Sequence, residues 1–228
     1  MKRQIVLDTE TTGLSAKNGD RIIEIGCVEL VNRRFTGRTF HQYINPERSI
    51  DVGAQAVHGI SRDFLKDKPI FSAIVDAFFE FCEGAELIIH NAEFDIGFIN
   101  AELKWVNYRC LDITTSCKVI DTLALARQKH PGQANNLDAL CRRYSVDASR
   151  REFHGALLDA NLLAQVFLSM TSEQASLWGL ELPASQSMSS KPSEELVRVA
   201  PMAVGAALKV IRANLDEIKA HQAFIDSL

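Results

Sequence analysis

The chain predicts an α/β fold on a mixed five-stranded sheet, an antiparallel meander followed by parallel strands, flanked by helices. Three β-forming runs fall within residues 4–44, on connections too short for a crossover helix. Two further apolar runs, at 86–90 and 118–121, alternate with segments of helical periodicity. Strands joined by tight turns pair antiparallel and strands alternating with helices pair in parallel, so one sheet holds both kinds.

The first strand is the apolar run Ile5-Val6-Leu7, of the kind covered on both faces, followed by Asp8-Thr9-Glu10 before Gly13 turns the chain. Successive strand side chains alternate, so Asp8 and Glu10 share a face, about 7 Å apart. Two like charges at the end of a buried strand repel each other and resist desolvation; a divalent cation between them removes both problems. Residues 21–31 form the second strand, with Ile23, Ile25, Val28 and Leu30 as β-formers and a phase slip near Gly26 that predicts a bulge. The turn Asn32-Arg33-Arg34 leads into a third strand over 35–44, ended by Pro46. Residues 47–68 read as loop and contain Ala56-Val57-His58-Gly59-Ile60. A helix is expected from Pro69 to Cys82, where Ile70, Ile74, Val75, Phe78 and Phe81-Cys82 recur at helical spacing. Glu86–His90 is a buried strand that runs into Asn91-Ala92-Glu93-Phe94-Asp95 and a helix to Leu103. Lys118–Asp121 is a short strand followed by a helix to Lys129; Asn135-Asn136 caps another through Tyr144, and a last helix covers 155–170.

The 228 residues suffice for one sizeable domain plus an appendage, and the net charge of −4 argues against coating nucleic acid by bulk electrostatics. It leaves room for an enzyme that grips a few phosphates through metal ions. Five cysteines (27, 82, 110, 117 and 141) with no C-x-x-C spacing predict free thiols in a reducing cytosol. No signal-peptide core opens the chain and no apolar run approaches ~20 residues, so a soluble, intracellular protein without a membrane span is expected. The domain is expected to occupy 1–171. Residues 172–193, rich in Ser, Gln, Pro and Lys, read as a linker, and 194–228 as a helical segment. There Val204, Leu208, Ile211, Leu215, Ile218 and Ile225 form a 4-3-4-3-7 stripe suited to docking on a partner.

Three acidic islands fall at the ends of core elements: Asp8 with Glu10, Asp95, and Asp159 with His154 in Phe153-His154-Gly155-Ala156-Leu157-Leu158-Asp159-Ala160. Were both helical, His154 and Asp159 would diverge by about 140°. They converge if His154 lies on the preceding loop, with Gly155 as the hinge. Asp159 sits among leucines, where an unpaired carboxylate is costly. Four carboxylates and one histidine, without thiols, suit hard cations such as Mg²⁺ or Mn²⁺. Two such ions can hold the attacking and leaving oxygens of a phosphoryl displacement, with the histidine as general base.

Leu7–Gly13, His90–Asp95 and His154–Ala160 resemble, in order and spacing, the three motifs of the DEDDh 3′–5′ exonucleases. Within that family the resemblance is to the proofreading epsilon subunits of bacterial DNA polymerase III. It extends through Val57–Ile60, Cys117–Asp121 and Leu137–Cys141, and so covers residues 3–170. It implies a ribonuclease-H-like fold and hydrolytic release of 5′-mononucleotides from a 3′ terminus with two divalent cations. It makes Asp8, Glu10 and Asp159 direct metal ligands, Asp95 a ligand acting mainly through water, and His154 the base. Thr12, Leu14, His58, Asn91 and Phe94 would line the pocket for the terminal nucleotide, Leu14 and Phe94 as base-tolerant stacking faces. In the tail, 208–211 and 216–221 are similar to the segment that docks on the polymerase catalytic (alpha) subunit, so the partner contact is assigned to 204–228. Gln174-Ala175-Ser176-Leu177-Trp178 looks like a sliding-clamp peptide.

His41 and His130 read as structural or solvated. Arg150-Arg151 lies near His154, within reach of a phosphate, but a basic loop is ordinarily solvated. Two alternatives stand beside the proofreading reading. One is a free-standing exoribonuclease of the same superfamily, since the motifs alone do not distinguish DNA from RNA. The other is a non-catalytic adaptor between polymerase and clamp, which would need a damaged site.

Overall fold

A computed structural model describes residues 2–149, 151 and 153–172. The linker, the helical segment and both partner peptides expected beyond Ser172 lie outside the described residues. Five strands form one sheet: β1 (Arg3–Thr11), β2 (Ile22–Val31), β3 (Arg34–Tyr43), β4 (Glu86–Ile89) and β5 (Lys118–Asp121), in the order β3-β2-β1-β4-β5. β1–β2 and β2–β3 are antiparallel, whereas β1–β4 and β4–β5 are parallel. That is the mixed sheet expected from the connections. At the β2–β3 turn Asn32 and Arg33 both have positive φ (49° and 64°), the conformation that matches the twist of a two-residue hairpin.

The helices are α1 (Val52–His58), α2 (Arg62–Leu65), α3 (Phe71–Cys82), α4 (Ala92–Trp105), α5 (Thr122–Lys129), α6 (Leu137–Arg143) and α7 (Ala156–Thr171). α5 and α6 are capped by side chains: Asp121 accepts from the Leu123 amide and Asn136 from the Ala139 amide. α1 and α2 replace the loop expected over 47–68. Each buries a single residue, His58 and Leu65, so neither carries an apolar stripe that periodicity could register. Along α3 the buried face keeps the expected Ile74, Val75, Phe78 and Cys82 and adds Phe71 and Phe79 in place of Phe81 and of Ile70, which is the N-cap.

Alternation along β1 decides what meets what. Ile5 and Leu7 face the core beneath α3 and α4, while Val6 faces Leu163, Ala164 and Phe167 of α7. Asp8 and Glu10 therefore point to the α7 side and Thr9 to the α4 side.

The bulge expected at Gly26 is absent, because the pairing with β1 runs without a shift from Arg3↔Val31 to Glu10↔Glu24. Its register shift lies one residue later, between Glu10 and Thr11, and that with β3 between Val28 and Leu30. The phase slip has another cause: nine of the ten β2 residues are buried, Glu24 and Glu29 among them, so neither face is left to solvent and alternation is lost. Gly26 serves packing. A Cβ there would overlap the backbone of Ala156 and Leu157, so the bare glycine lets the first turn of α7 settle on the sheet. Gly26 also pairs with Asp8. Gly26→Ala is expected to cost about 1–3 kcal/mol through overpacking, read as a lower urea midpoint. An unchanged midpoint would mean that α7 is not seated by this contact.

Candidate active site

The site forms where β1 runs out between two helices. On the α7 side, Asp8 and Glu10 meet Asp159 from the first turn of α7. On the other side, the Thr9 hydroxyl donates to Asp95 Oδ1 at 2.6 Å, which fixes the carboxylate that opens α4. His154 precedes α7 on the loop, as the Gly155 hinge requires, and its backbone N–H donates to the Val57 carbonyl at 3.1 Å. All five line one cavity of about 890 Å³. Ligand atoms of Glu10, His154 and Asp159 lie within 4.8 Å of one another, a spacing a cation can bridge.

The electrostatics follow from crowding. Burial, then the charges of Asp159, Glu24 and Asp95, raises Glu10 from 4.5 to about 8. Burial raises Asp95 to about 7, against the hydrogen bond from Thr9. Asp8 is pushed well above the usual carboxylate range by burial and then by Asp95, Glu10 and Asp159. Asp8 and Asp95 stand outside the tight trio yet share its field. A set of oxygens that repel one another, one imidazole and no thiol fits a hard divalent cation.

Of the nucleotide-pocket candidates, Leu14, His58, Asn91 and Phe94 line the cavity. Leu14 is 85% exposed, as a free stacking face has to be. Asn91 takes the left-handed conformation (φ 64°) between β4 and α4, and its N–H donates to Asp121 Oδ1 at 3.1 Å. Thr12 is the exception. It is fully buried, donates to Asp20 Oδ1 and accepts from the Arg21 amide, so its hydroxyl pins the turn rather than facing the cavity.

His41 and His130 are structural, bonded to Glu24 and to the Tyr144 hydroxyl. The expectation of a solvated Arg151 does not hold. Its side chain is 7% exposed and forks onto Asp159 through Nε (2.6 Å) and Nη2 (2.7 Å), while Nη1 binds Asp138. Nη2 also lies 3.0 Å from His154 Nδ1. Burial and then this guanidinium lower the His154 pKa. Glu24 was missed too. It lies opposite Glu10 in register, with Oε1 on His41 at 2.7 Å. The available signal was a charge inside the largely apolar run of β2, which holds two, Glu24 and Glu29.

Comparison with known proteins gives the family to which the chain belongs. The exonuclease family model (RNase_T) matches residues 5–167. The chain is 48% identical over 229 residues to DNA polymerase III subunit epsilon of Escherichia coli, covering 98% of this chain and 92% of that protein. It is 47% identical to the same subunit of Salmonella typhimurium (98% and 92%) and 43% identical to that of Rickettsia felis (99% and 96%). Among solved structures, Exonuclease X in complex with 5′ overhanging duplex DNA gives a TM-score of 0.57 at 24% identity, over 73% of this chain and 90% of that one. The nuclease domain of 3′hExo, a DEDDh family member, bound to rAMP, gives 0.63 at 18%, over 74% and 91%. At these identities the two share the fold.

A carboxyl whose pKa is raised by folding holds a proton that the unfolded chain has lost. Its contribution to stability therefore falls as pH rises from its ordinary value through the raised one. For Glu10 that window runs from 4.5 to about 8. In chelator the contribution of this cluster to thermal stability is expected to decline across that window. A divalent cation needs the ionised carboxylates, so the rise in Tm on adding Mg²⁺ or Mn²⁺ should be larger near pH ~8 than near pH ~6. Calorimetry checks it; an equal rise at both pH values would mean that these carboxylates do not bind the metal.

Proposed function

The chain belongs to the exonuclease family and, within it, to the epsilon subunits of DNA polymerase III, and from that membership we propose how its residues divide the work of a proofreading 3′–5′ exonuclease. The observation that carries the proposal is the convergence of Asp8, Glu10, Asp95, His154 and Asp159 in one cavity. Asp8, Glu10, Asp95 and Asp159 would hold two divalent cations, Mg²⁺ or Mn²⁺, which supply charge stabilisation to the oxygens of an in-line phosphoryl displacement. His58, Asn91, Phe94 and Leu14 receive the terminal nucleotide, Phe94 and Leu14 by stacking that tolerates any base. A mispaired end frays into single strand more readily than a paired one, so a pocket that reads no base edge still selects errors.

His154 takes the proton of the attacking water. With Arg151 donating to Nδ1, the neutral ring keeps its proton on Nε2 and has no free lone pair. When Arg151 turns to an incoming phosphate, Nδ1 can carry the proton and donate to Asp159 Oδ2, 3.5 Å away. Nε2 then has the lone pair that a base requires.

Relatives matched along nearly their whole length are polymerase subunits, which favours the proofreader over a free-standing exoribonuclease. An adaptor would need a missing acid or base, and all five are in place. The polymerase is the partner of this family. We assign its contact to 204–228, a sliding-clamp contact to 174–178 and the linker to 172–193, with the protein working in the bacterial cytoplasm. No described helix is long and apolar enough to cross a membrane.

The test uses matched DNA and RNA oligomers labelled at the 5′ end, with Mg²⁺ and with a chelator. Metal-dependent shortening of DNA from its 3′ end, with RNA cut slowly, is expected; preference for RNA would move the protein to the exoribonuclease branch. Asp8→Ala should abolish cleavage while partner binding persists, and retained cleavage would place the metal elsewhere. His154→Gln should lower kcat about 10²–10⁴-fold with DNA binding kept. A smaller loss would point to another base.

A further inference from the structure

A second cleft, of about 640 Å³, opens beside the catalytic cavity and shares His90, Asn91 and Asn136 with it. Its other walls are Leu123 and Arg127 of α5 and the loop residues Gly132, Gln133 and Asn135. The two cavities differ in charge. The catalytic one is lined by Asp8, Glu10, Asp51, Asp95, Asp138 and Asp159, whereas no carboxylate lines the cleft. Arg127 is exposed, and among the described residues its guanidinium makes no hydrogen bond or ion pair. At the neighbouring imidazole burial lowers the His90 pKa, the charge of Asp121 acts to raise it, and that of Arg127, a smaller effect, to lower it.

The wall facing Arg127 is built in advance. The buried Asn135 donates from Nδ2 to the carbonyls of His130 (3.2 Å) and Gln133 (3.0 Å) and accepts at Oδ1 from Arg143. Arg143 also donates to the Ala134 carbonyl at 2.8 Å. Asn136 spends Oδ1 on the cap of α6, which leaves its amide NH₂ for the cleft. His90 is held through Nδ1 by the Thr122 hydroxyl at 2.9 Å, and its ring and the Leu123 side chain both line the cleft. A free guanidinium, spare amide donors and a ring to stack on make a site for one unit of a single strand. The volume is of the size that ligand pockets have.

We propose that this cleft is the subsite for the nucleotide on the 5′ side of the scissile phosphate, with Arg127 on that nucleotide's phosphate and His90 and Leu123 beneath its base. It rests on the exonuclease reading above and extends it. The acidic cavity takes the terminal nucleotide through metal ions; the strand leading into it is a polyanion that those carboxylates repel. A cation just outside, next to Asn91, holds the strand where the cavity itself cannot.

The experiment compares two substrates of the full chain: a 5′-labelled oligo-dT and the p-nitrophenyl ester of thymidine 5′-monophosphate, which has no second nucleotide. Arg127→Ala should raise KM for oligo-dT about tenfold, leave kcat within about twofold, and leave the ester unchanged. The dependence of log KM on log salt should lose about 0.7 of slope, the share of one phosphate on a single strand. Lys129→Ala, on the same helix but outside the cleft, should do neither. An equal loss on both substrates would put Arg127 at the reaction centre or in the fold. No change with oligo-dT, or the same change for Lys129→Ala, would also overturn the subsite. If the unaltered chain releases nothing from either substrate, the exonuclease reading fails by itself. Anisotropy of a labelled oligo-dT then decides the subsite: weaker binding by Arg127→Ala upholds it, equal binding removes it.

Discussion

Like charge at the end of β1 is the constraint on which the structure turns. Elsewhere among the described residues, Glu29 has Arg3 and Arg38, Glu102 a bidentate Arg21 and Asp20 has Arg48, while Glu24 has His41 at one oxygen and no partner at the other. In the cavity, Asp8, Glu10, Asp95 and Asp159 crowd together, and the one cation bonded among them, Arg151, is committed to Asp159. A fold chosen for stability alone would not place them so, because unpaired buried charge is costly. The strain is local and is carried by an ordinary core. Ile5, Leu7 and Val6 anchor the strand from both faces immediately before the acids begin.

How the acids reach one place was legible where it depended on period alone. Alternation put Asp8 and Glu10 on one face, and the helical angle required His154 to lie on a loop. What could not be read depended on tertiary contact. Gly26 looked like a bulge because β2 is buried on both sides, and only the docked α7 reveals why a side chain is excluded there. Arg151 looked like solvated loop; its burial exists only because Asp138 from α6 and Asp159 from α7 meet around it. Thr12 lies between residues that face the cavity, yet the turn toward Asp20 points its hydroxyl inward. α1 and α2 bury one residue each, too little for a periodic signal.

Fold and activity are specified at different depths. Exonuclease X and the nuclease domain of 3′hExo share the architecture at only 24% and 18% identity. The four carboxylates come from β1 and from the first turns of α4 and α7, and an architecture of this kind does not by itself fix the substrate. The choice must lie in side chains around the scissile unit, where the nucleotide pocket and the Arg127 cleft meet at Asn91 and Asn136.

The acids and the base are also held differently. Asp8 and Glu10 ride on a central strand, and Asp95 and Asp159 on the first turns of long helices, so none can move without the core. His154 lies on the loop ahead of α7, its side chain 45% exposed, tied through its backbone to Val57 of α1. A metal site needs fixed oxygens, since a cation's coordination tolerates little error. A proton carrier needs the opposite, and in the proposed mechanism His154 exchanges Arg151 for Asp159 at Nδ1, which frees Nε2 for the water. Rigid acids and an exposed histidine suit the two jobs proposed for them, and the short helix α1, which periodicity could not register, supplies the Val57 carbonyl that holds the histidine's backbone.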